Sequence, residues 1–172
     1  AWFGKNSNDI SSVDCLKYIP KVNVYKEPKV LTYGDIKCLL MPWRTGPNHE
    51  KETLKKYKDI DYLFCHTEAK GAQESPSRKH LHEGGNNRKI IRRFKKVYTG
   101  HIHYRQELGN VTLVGNPYPM TRSDRDNQKG VYILDLENGN DVFIFVNVAS
   151  LSLPSVILIY IPIIAFLYVN AK

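Results

Sequence analysis

Two short apolar runs each end on histidine, and no other feature constrains the chain as much. They are Asp-Tyr-Leu-Phe-Cys-His at 61–66 and Lys-Val-Tyr-Thr-Gly-His-Ile-His at 96–103. A brief, continuously apolar run suits a strand buried on both faces. Open α/β sheets place their sites at the carboxyl ends of such strands, where side chains from neighbouring strands converge. His66, His101 and His103 are therefore expected at one sheet edge. His101 and His103 stand two apart, and in an extended segment such residues point to the same side. Gly100 allows a sharp turn just before them.

Three converging imidazoles are a candidate metal site, since imidazole suits zinc, iron, manganese and nickel. Histidines alone are incomplete for phosphoester work, which uses carboxylates to bridge two ions. The bland alternative is that each histidine is an ordinary strand-end surface residue. His80 and His82 repeat the spacing in a polar, Gly-rich stretch and read as solvated, while His49 reads as part of a helix start.

The remaining pattern is that of a mixed α/β (α+β) domain. A short helix is expected near 13–18 and a strand at 22–25. A hairpin of 30–33 with 36–40 turns through Tyr33-Gly34-Asp35. Met41-Pro42-Trp43 closes its second strand, because proline cannot continue a ladder. Asn48 can cap a helix over about 50–58, with Leu54 and Tyr57 on one face. Residues 72–87 read as polar loop, and 88–95 as a helix with Ile90, Ile91 and Phe94 as its buried stripe. Strands are expected at 62–65, 96–99, 111–114, 131–134 and 142–146, with Asn138-Gly139 turning the last hairpin.

The formal net charge of +8 favours anionic partners such as nucleic acid or lipid headgroups. Arg88, Lys89, Arg92, Arg93, Lys95 and Lys96 lie just before the His-x-His. They read either as a solvated helix face or as a phosphate-contacting rim. Cys15, Cys38 and Cys65 are odd in number and unpaired in spacing. That argues against a disulfide framework or a cysteine-type zinc site and favours a reducing, cytoplasmic setting. The opening Ala-Trp-Phe-Gly-Lys-Asn is neither a signal nor a transit peptide. No charged residue occurs from 142 to 171, and 151–169 has the length and apolarity of a transmembrane helix, although Pro154 and Pro162 interrupt it. The expected organisation is a domain over 1–146 and an apolar tail over 147–172.

Three segments carry a family resemblance. Val97-Tyr98-Thr99-Gly100-His101-Ile102-His103-Tyr104-Arg105-Gln106 precedes Val114-Gly115-Asn116-Pro117-Tyr118-Pro119-Met120-Thr121, and then Gln128-Lys129-Gly130-Val131-Tyr132-Ile133-Leu134-Asp135. Upstream stand Leu40-Met41-Pro42-Trp43 and Phe64-Cys65-His66-Thr67-Glu68. In this order the segments resemble calcineurin-like metallophosphoesterases, and within them the SbcD-like DNA nucleases that include phage recombination endonuclease subunits. The likeness runs over about 3–145 and departs from the family at Cys65, where glycine is common.

The resemblance implies the C-terminal half of a metallophosphoesterase β-sandwich flanked by helices. It implies two divalent ions, Mn2+ in the first place, with His66 and His101 on one and His103 on the other. It also implies DNA as substrate, an SbcC-like ATPase subunit as partner, a homodimer, and Arg105 and Tyr118 as substrate contacts. The family's Asp-x-His, Gly-Asp-x-x-Asp and Gly-Asn-His-Asp motifs do not occur in these 172 residues. Trp2-Phe3-Gly4-Lys5-Asn6 resembles the family's residues just beyond the last of these motifs. The expectation is a chain beginning just past that motif, without the family's catalytic histidine and inactive alone. Two other readings stay open. One is a phosphoesterase of the same fold acting on small phosphodiesters or phosphoproteins. The other is a non-enzymatic remnant attached to a membrane through 151–169.

Overall fold

The protein was analysed as a computed structural model that describes residues 13–20, 22–43, 49–76, 78–81, 91–119, 124, 127–145, 159–160 and 165–166. It is a mixed α/β molecule built on two packed sheets with few helices.

The larger sheet has six strands in the order β1-β2-β3-β6-β8-β7. Its centre is β2 (Ile36–Met41), β3 (Tyr62–Cys65), β6 (Lys96–Thr99) and β8 (Val111–Leu113), all parallel. The edge strands β1 (Lys29–Tyr33) and β7 (Gln106–Leu108) run antiparallel to their neighbours. The β1–β2 hairpin turns at Gly34-Asp35, where Gly34 has φ +57°. The smaller sheet has the order β10-β9-β11-β12, with β9 (Gly130–Leu134) and β10 (Asp141–Phe145) antiparallel.

The central strands lack polar–apolar alternation because both their faces are covered. Leu39, Met41, Leu63, Cys65, Val97 and Leu113 face one core with Leu54, Ile91 and Phe94. Cys38, Leu40, Tyr62, Phe64, Tyr98 and Val114 face the other, against Tyr132 and Leu134 of β9. Gly130 is fixed by this second layer: a Cβ there would stand 2.2 Å from the Ile144 carbonyl oxygen. Helix α1 (His49–Lys56) carries Glu50 and Glu52 in its first turn and Lys55 and Lys56 in its last, in accord with the helix dipole. It buries Leu54 completely. Its expected cap, Asn48, lies outside the described residues.

Several sequence expectations need correction. No strand forms at 22–25; Val22 instead donates its N–H to the Ile19 carbonyl in a turn, and side-chain exposure alternates with no strand among the described residues paired to it. The polar stretch after Ala72 holds a hairpin, β4 (Gln73–Ser75) with β5 (Arg78–Leu81), whose pairing no apolar alternation announces. His80 lies in β5, and His82 falls outside the described residues. Strand β7 is likewise absent from the sequence pattern, because Gln-Glu-Leu carries no strand signal and is recruited by the turn at Gly109-Asn110. Of the helix expected over 88–95, Ile91 is helical and residues 92–95 turn directly into β6; 88–90 lie outside the described residues. Ile91 and Phe94 are buried as expected.

The tail departs furthest. Its described parts are strands, β11 (Ile159–Tyr160) and β12 (Ala165–Phe166), not helix. Ile159 pairs with Tyr132 of β9, so β11 extends the smaller sheet. A run rich in Ile, Val and Tyr favours strand over helix when an open edge is available. Among the described residues no helix is long and apolar enough to cross a membrane. The rest of 147–172 lies outside them.

Leu63 is fully buried at the centre of the larger sheet, whereas Val142 is 59% exposed on β10. Leu63→Ala should cost about 2–5 kcal/mol in urea unfolding, and Val142→Ala should cost less than about 0.5 kcal/mol. Equal effects would contradict this assignment of the core.

Candidate metal centre

The carboxyl ends of the parallel strands converge as the topology requires. β2 leads into Trp43, β3 into His66, β6 into Gly100-His101 and β8 into Gly115-Asn116. The β3 and β6 exits are tied together. Thr99, 1% exposed, accepts a hydrogen bond from the Thr67 N–H at 3.0 Å and donates to the Thr67 carbonyl at 2.8 Å. Gly100 donates its N–H to the Cys65 carbonyl at 3.1 Å. Thr67 in turn donates from Oγ1 to Glu50 at 2.7 Å, which ties α1 to the same corner.

These ties bring His66 and His101 together. Their ring centroids lie 5.4 Å apart with planes at 90°. Trp43 stacks on His101 at 5.3 Å and meets the edge of His66 at 6.1 Å. The His66 Nδ1 is buried and has no hydrogen-bond partner among the described residues. Burial holds the His66 pKa down at about 3, with neighbouring positive charge, His101 and His103 included, adding to the shift. A neutral imidazole suits a metal ligand, which must be deprotonated. The pair is a candidate for two of the ligands of a divalent ion.

His101 has φ +83°, a left-handed backbone that non-glycine residues seldom adopt. Such strain costs about 1–3 kcal/mol and gathers at functional sites. The sharp turn expected of Gly100 is taken by His101 itself. The segment is therefore not extended, and His101 and His103 engage different neighbours. His101 Nε2 stands 3.4 Å from Glu68. His103 Nδ1 stands 3.4 Å from Asp124. Among the described residues no group of three or more His, Cys, Asp or Glu side chains is spaced to hold one ion. His66 and His101 form a pair, with His103 beside it.

Cys65 precedes His66 but points into the core. Its thiol is fully buried, faces the Tyr98 carbonyl at 3.8 Å, and is pushed up to about 12 by desolvation. It is a packing residue, not a thiolate ligand. None of the three cysteines forms a disulfide.

The other expected contacts divide. Tyr118 is 44% exposed in the loop after β8. Arg105 is engaged within the protein: it donates to the Tyr132 hydroxyl at 3.3 Å and to Gln128 at 3.1 Å, and its guanidinium lies 4.2 Å from the Phe143 ring centroid. That is the geometry of a clamp onto the smaller sheet. The basic run is equally occupied. Arg93 donates to the carbonyls of Leu54 and Tyr57 at the end of α1, Lys95 pairs with Asp61 at 2.8 Å, and Lys96 with Asp141 at 2.6 Å. Three of its four described cations serve the fold, which favours the bland reading over the phosphate rim.

Sequence reasoning gave no role in the site to Trp43, to Thr99 or to a buried cluster of Asn116, Asp124 and Lys129 beside His103. Lys129 Nζ contacts Asn116 Oδ1, Asp124 Oδ1 at 3.1 Å and the His103 carbonyl at 3.1 Å. Burial pulls the Lys129 pKa down and Asp124 opposes that pull. A lone Lys or Asp in a loop carries no sign of burial, so only the residue types were visible.

Over 136 residues, 78% of this chain, the sequence is 28% identical to exonuclease subunit 1 of Enterobacteria phage T4. The chain spans 39% of the length of that relative. No protein-family model matches the chain, and no solved structure matches it.

The corner itself can be tested by substitution and by pH. Thr99→Val leaves the Thr67 N–H and carbonyl without their partner in a buried site, and should cost about 1–3 kcal/mol in chemical unfolding; Thr99→Ser should restore most of it. As for pH, the folded His66 pKa of about 3 lies below the ordinary 6.5, so the unfolded chain binds the extra proton. Its contribution is complete above 6.5 and is lost as pH falls toward about 3. His66→Asn should flatten this part of the stability–pH curve; an unchanged slope would refute the buried neutral imidazole.

Proposed function

We propose that this chain contributes to metal-dependent phosphodiester hydrolysis on DNA, as part of an exonuclease or endonuclease subunit serving recombination and repair. The observation that carries the reading is the His66–His101 pair at the carboxyl ends of β3 and β6, with the His66 Nδ1 buried and unpartnered among the described residues. The similarity to a phage exonuclease subunit supports the same class of activity.

In finer detail, the two sheets are read as part of a calcineurin-like metallophosphoesterase sandwich. Two divalent ions, Mn2+ in the first place, are held with His66 and His101 toward one and His103 toward the other. When bound, such ions polarise the phosphate, lower the pKa of a water and stabilise the leaving oxygen. The chain's own residues prepare the place. Thr99 fixes the two strand exits, Trp43 walls the imidazoles, and burial keeps His66 neutral. Tyr118, exposed in the loop after β8, is the proposed substrate contact; Arg105 acts through the smaller sheet. An SbcC-like ATPase subunit and a second copy of the same subunit are the proposed partners, in the cytoplasm, where three cysteines outside any disulfide are at home.

A second reading, a chain without activity of its own, is supported by the share of the similar phage subunit that it spans, 39%. Two ions need a bridging carboxylate to sit about 3.5–4 Å apart. These residues are therefore expected to bind Mn2+ weakly and, alone, to leave linear DNA intact. Joined to a segment carrying the family's three carboxylate- and histidine-bearing motifs, they should cleave DNA, and His101→Ala should abolish that cleavage. Robust Mn2+-dependent cleavage by the chain alone that survives His101→Ala would put the chemistry elsewhere.

A further inference from the structure

The cluster behind His103 asks for an explanation. Asn116 is 2% exposed, Asp124 4% and Lys129 8%. A buried ion pair stabilises little compared with apolar residues of similar volume, and its burial is costly unless every polar atom finds a partner. Here the partners are supplied. Lys129 bonds to Asn116 and Asp124, and Asn116 Nδ2 donates to Asp124 Oδ2 at 3.1 Å.

The cluster is organised around His103. Its carbonyl accepts from Lys129 Nζ at 3.1 Å and from Asn127 Nδ2 at 3.0 Å. Its ring Nδ1 faces Asp124 Oδ2 at 3.4 Å. Gly115, with φ +71°, closes over the same backbone: a Cβ there would stand 2.9 Å from the His103 carbonyl oxygen. The residue is held at both ends, while its side chain remains 44% exposed.

We propose that Asp124 is a positioning residue that keeps the ring proton of His103 on Nδ1, so that Nε2 presents its lone pair to a divalent cation. A neutral imidazole carries one N–H and one lone pair, and a carboxylate at one nitrogen fixes which is which. A carboxylate behind a histidine ligand also sets the ring's orientation and raises its basicity. Lys129 and Asn116 hold Asp124 in place and supply the partners that its burial requires. The inference rests on the reading of His103 as a metal ligand, and its test separates the two.

The test is nuclear magnetic resonance of the 15N-histidine-labelled chain at about pH 8.5, above the ordinary imidazole range, first without metal and then with Mn2+. The metal-free protein should show His103 protonated on Nδ1. Replacing both buried charges together, Asp124→Asn with Lys129→Gln, should move that proton toward Nε2 and weaken Mn2+ binding about 10–100-fold. The same pair of changes should have no further effect on Mn2+ binding in a His103→Ala background. If His103 of the unaltered protein carries its proton on Nε2, the role of Asp124 is overturned even where Mn2+ broadens the His66 and His101 signals. If His103 is protonated on Nδ1 while Mn2+ broadens no histidine signal, the positioning by Asp124 stands and the metal-site reading falls. The first measurement needs no variant, so failure of the double variant to fold leaves the proposal open to refutation.

Discussion

The hydroxyl of Thr99 is the interaction on which the site depends. It bonds both backbone groups of Thr67, and so it extends the parallel pairing of β3 and β6 one step beyond the strands themselves. Without it the two exits would be independent loops, and loops with free backbone groups spread toward water. With it, His66 and His101 leave the sheet from one rigid corner. The Cys65 carbonyl, bonded to Gly100, completes the corner, and Glu50 carries it into α1. A hydroxyl almost completely excluded from solvent makes these bonds stronger than they would be at a surface.

The two cores explain why that corner is stiff. Residues alternate strictly along β2, β3 and β6: Leu39, Leu63 and Val97 face the helical side, Leu40, Phe64 and Tyr98 the second sheet. A shift of one residue in any of these strands would exchange the two cores, so register is strongly specified. Tyr98 reinforces the arrangement by reaching across to Asp141 at 3.0 Å, where Lys96 also arrives. Residues beside the site therefore serve the packing of the sheets, and this is why so many of the basic side chains near His101 are occupied by the fold.

His101 shows the tension between fold and site. Its left-handed backbone is unfavourable for a residue with a Cβ. The conformation persists because neighbours on several sides over-determine it: Gly100 is tied to β3, Ile102 is buried in the core, and Trp43 lies flat on the ring. That strained turn separates His101 from His103 and hands His103 to a different set of partners.

Much of the framework was legible in the residues. The β1–β2 hairpin, β3, β6, β8 and the β9–β10 hairpin were marked by apolar runs, a Gly-Asp turn and Asn138-Gly139, because a strand buried on both faces has little freedom of composition. The histidines at the ends of β3 and β6 were legible for the same reason, since the strand ends fix where the next residue lies. Other features were decided only by tertiary structure. Gln-Glu-Leu became a strand because β8 offered it an edge, and 22–25 did not, with no described strand pairing with it. The described tail segments joined β9 where their composition also suited a membrane helix; hydrophobicity specifies burial and not the partner. Lys129 and Asp124 look in sequence like ordinary surface charges. Their burial and their grip on His103 arise from distances of 3.1–3.4 Å between residues as many as 26 positions apart, which no local pattern encodes.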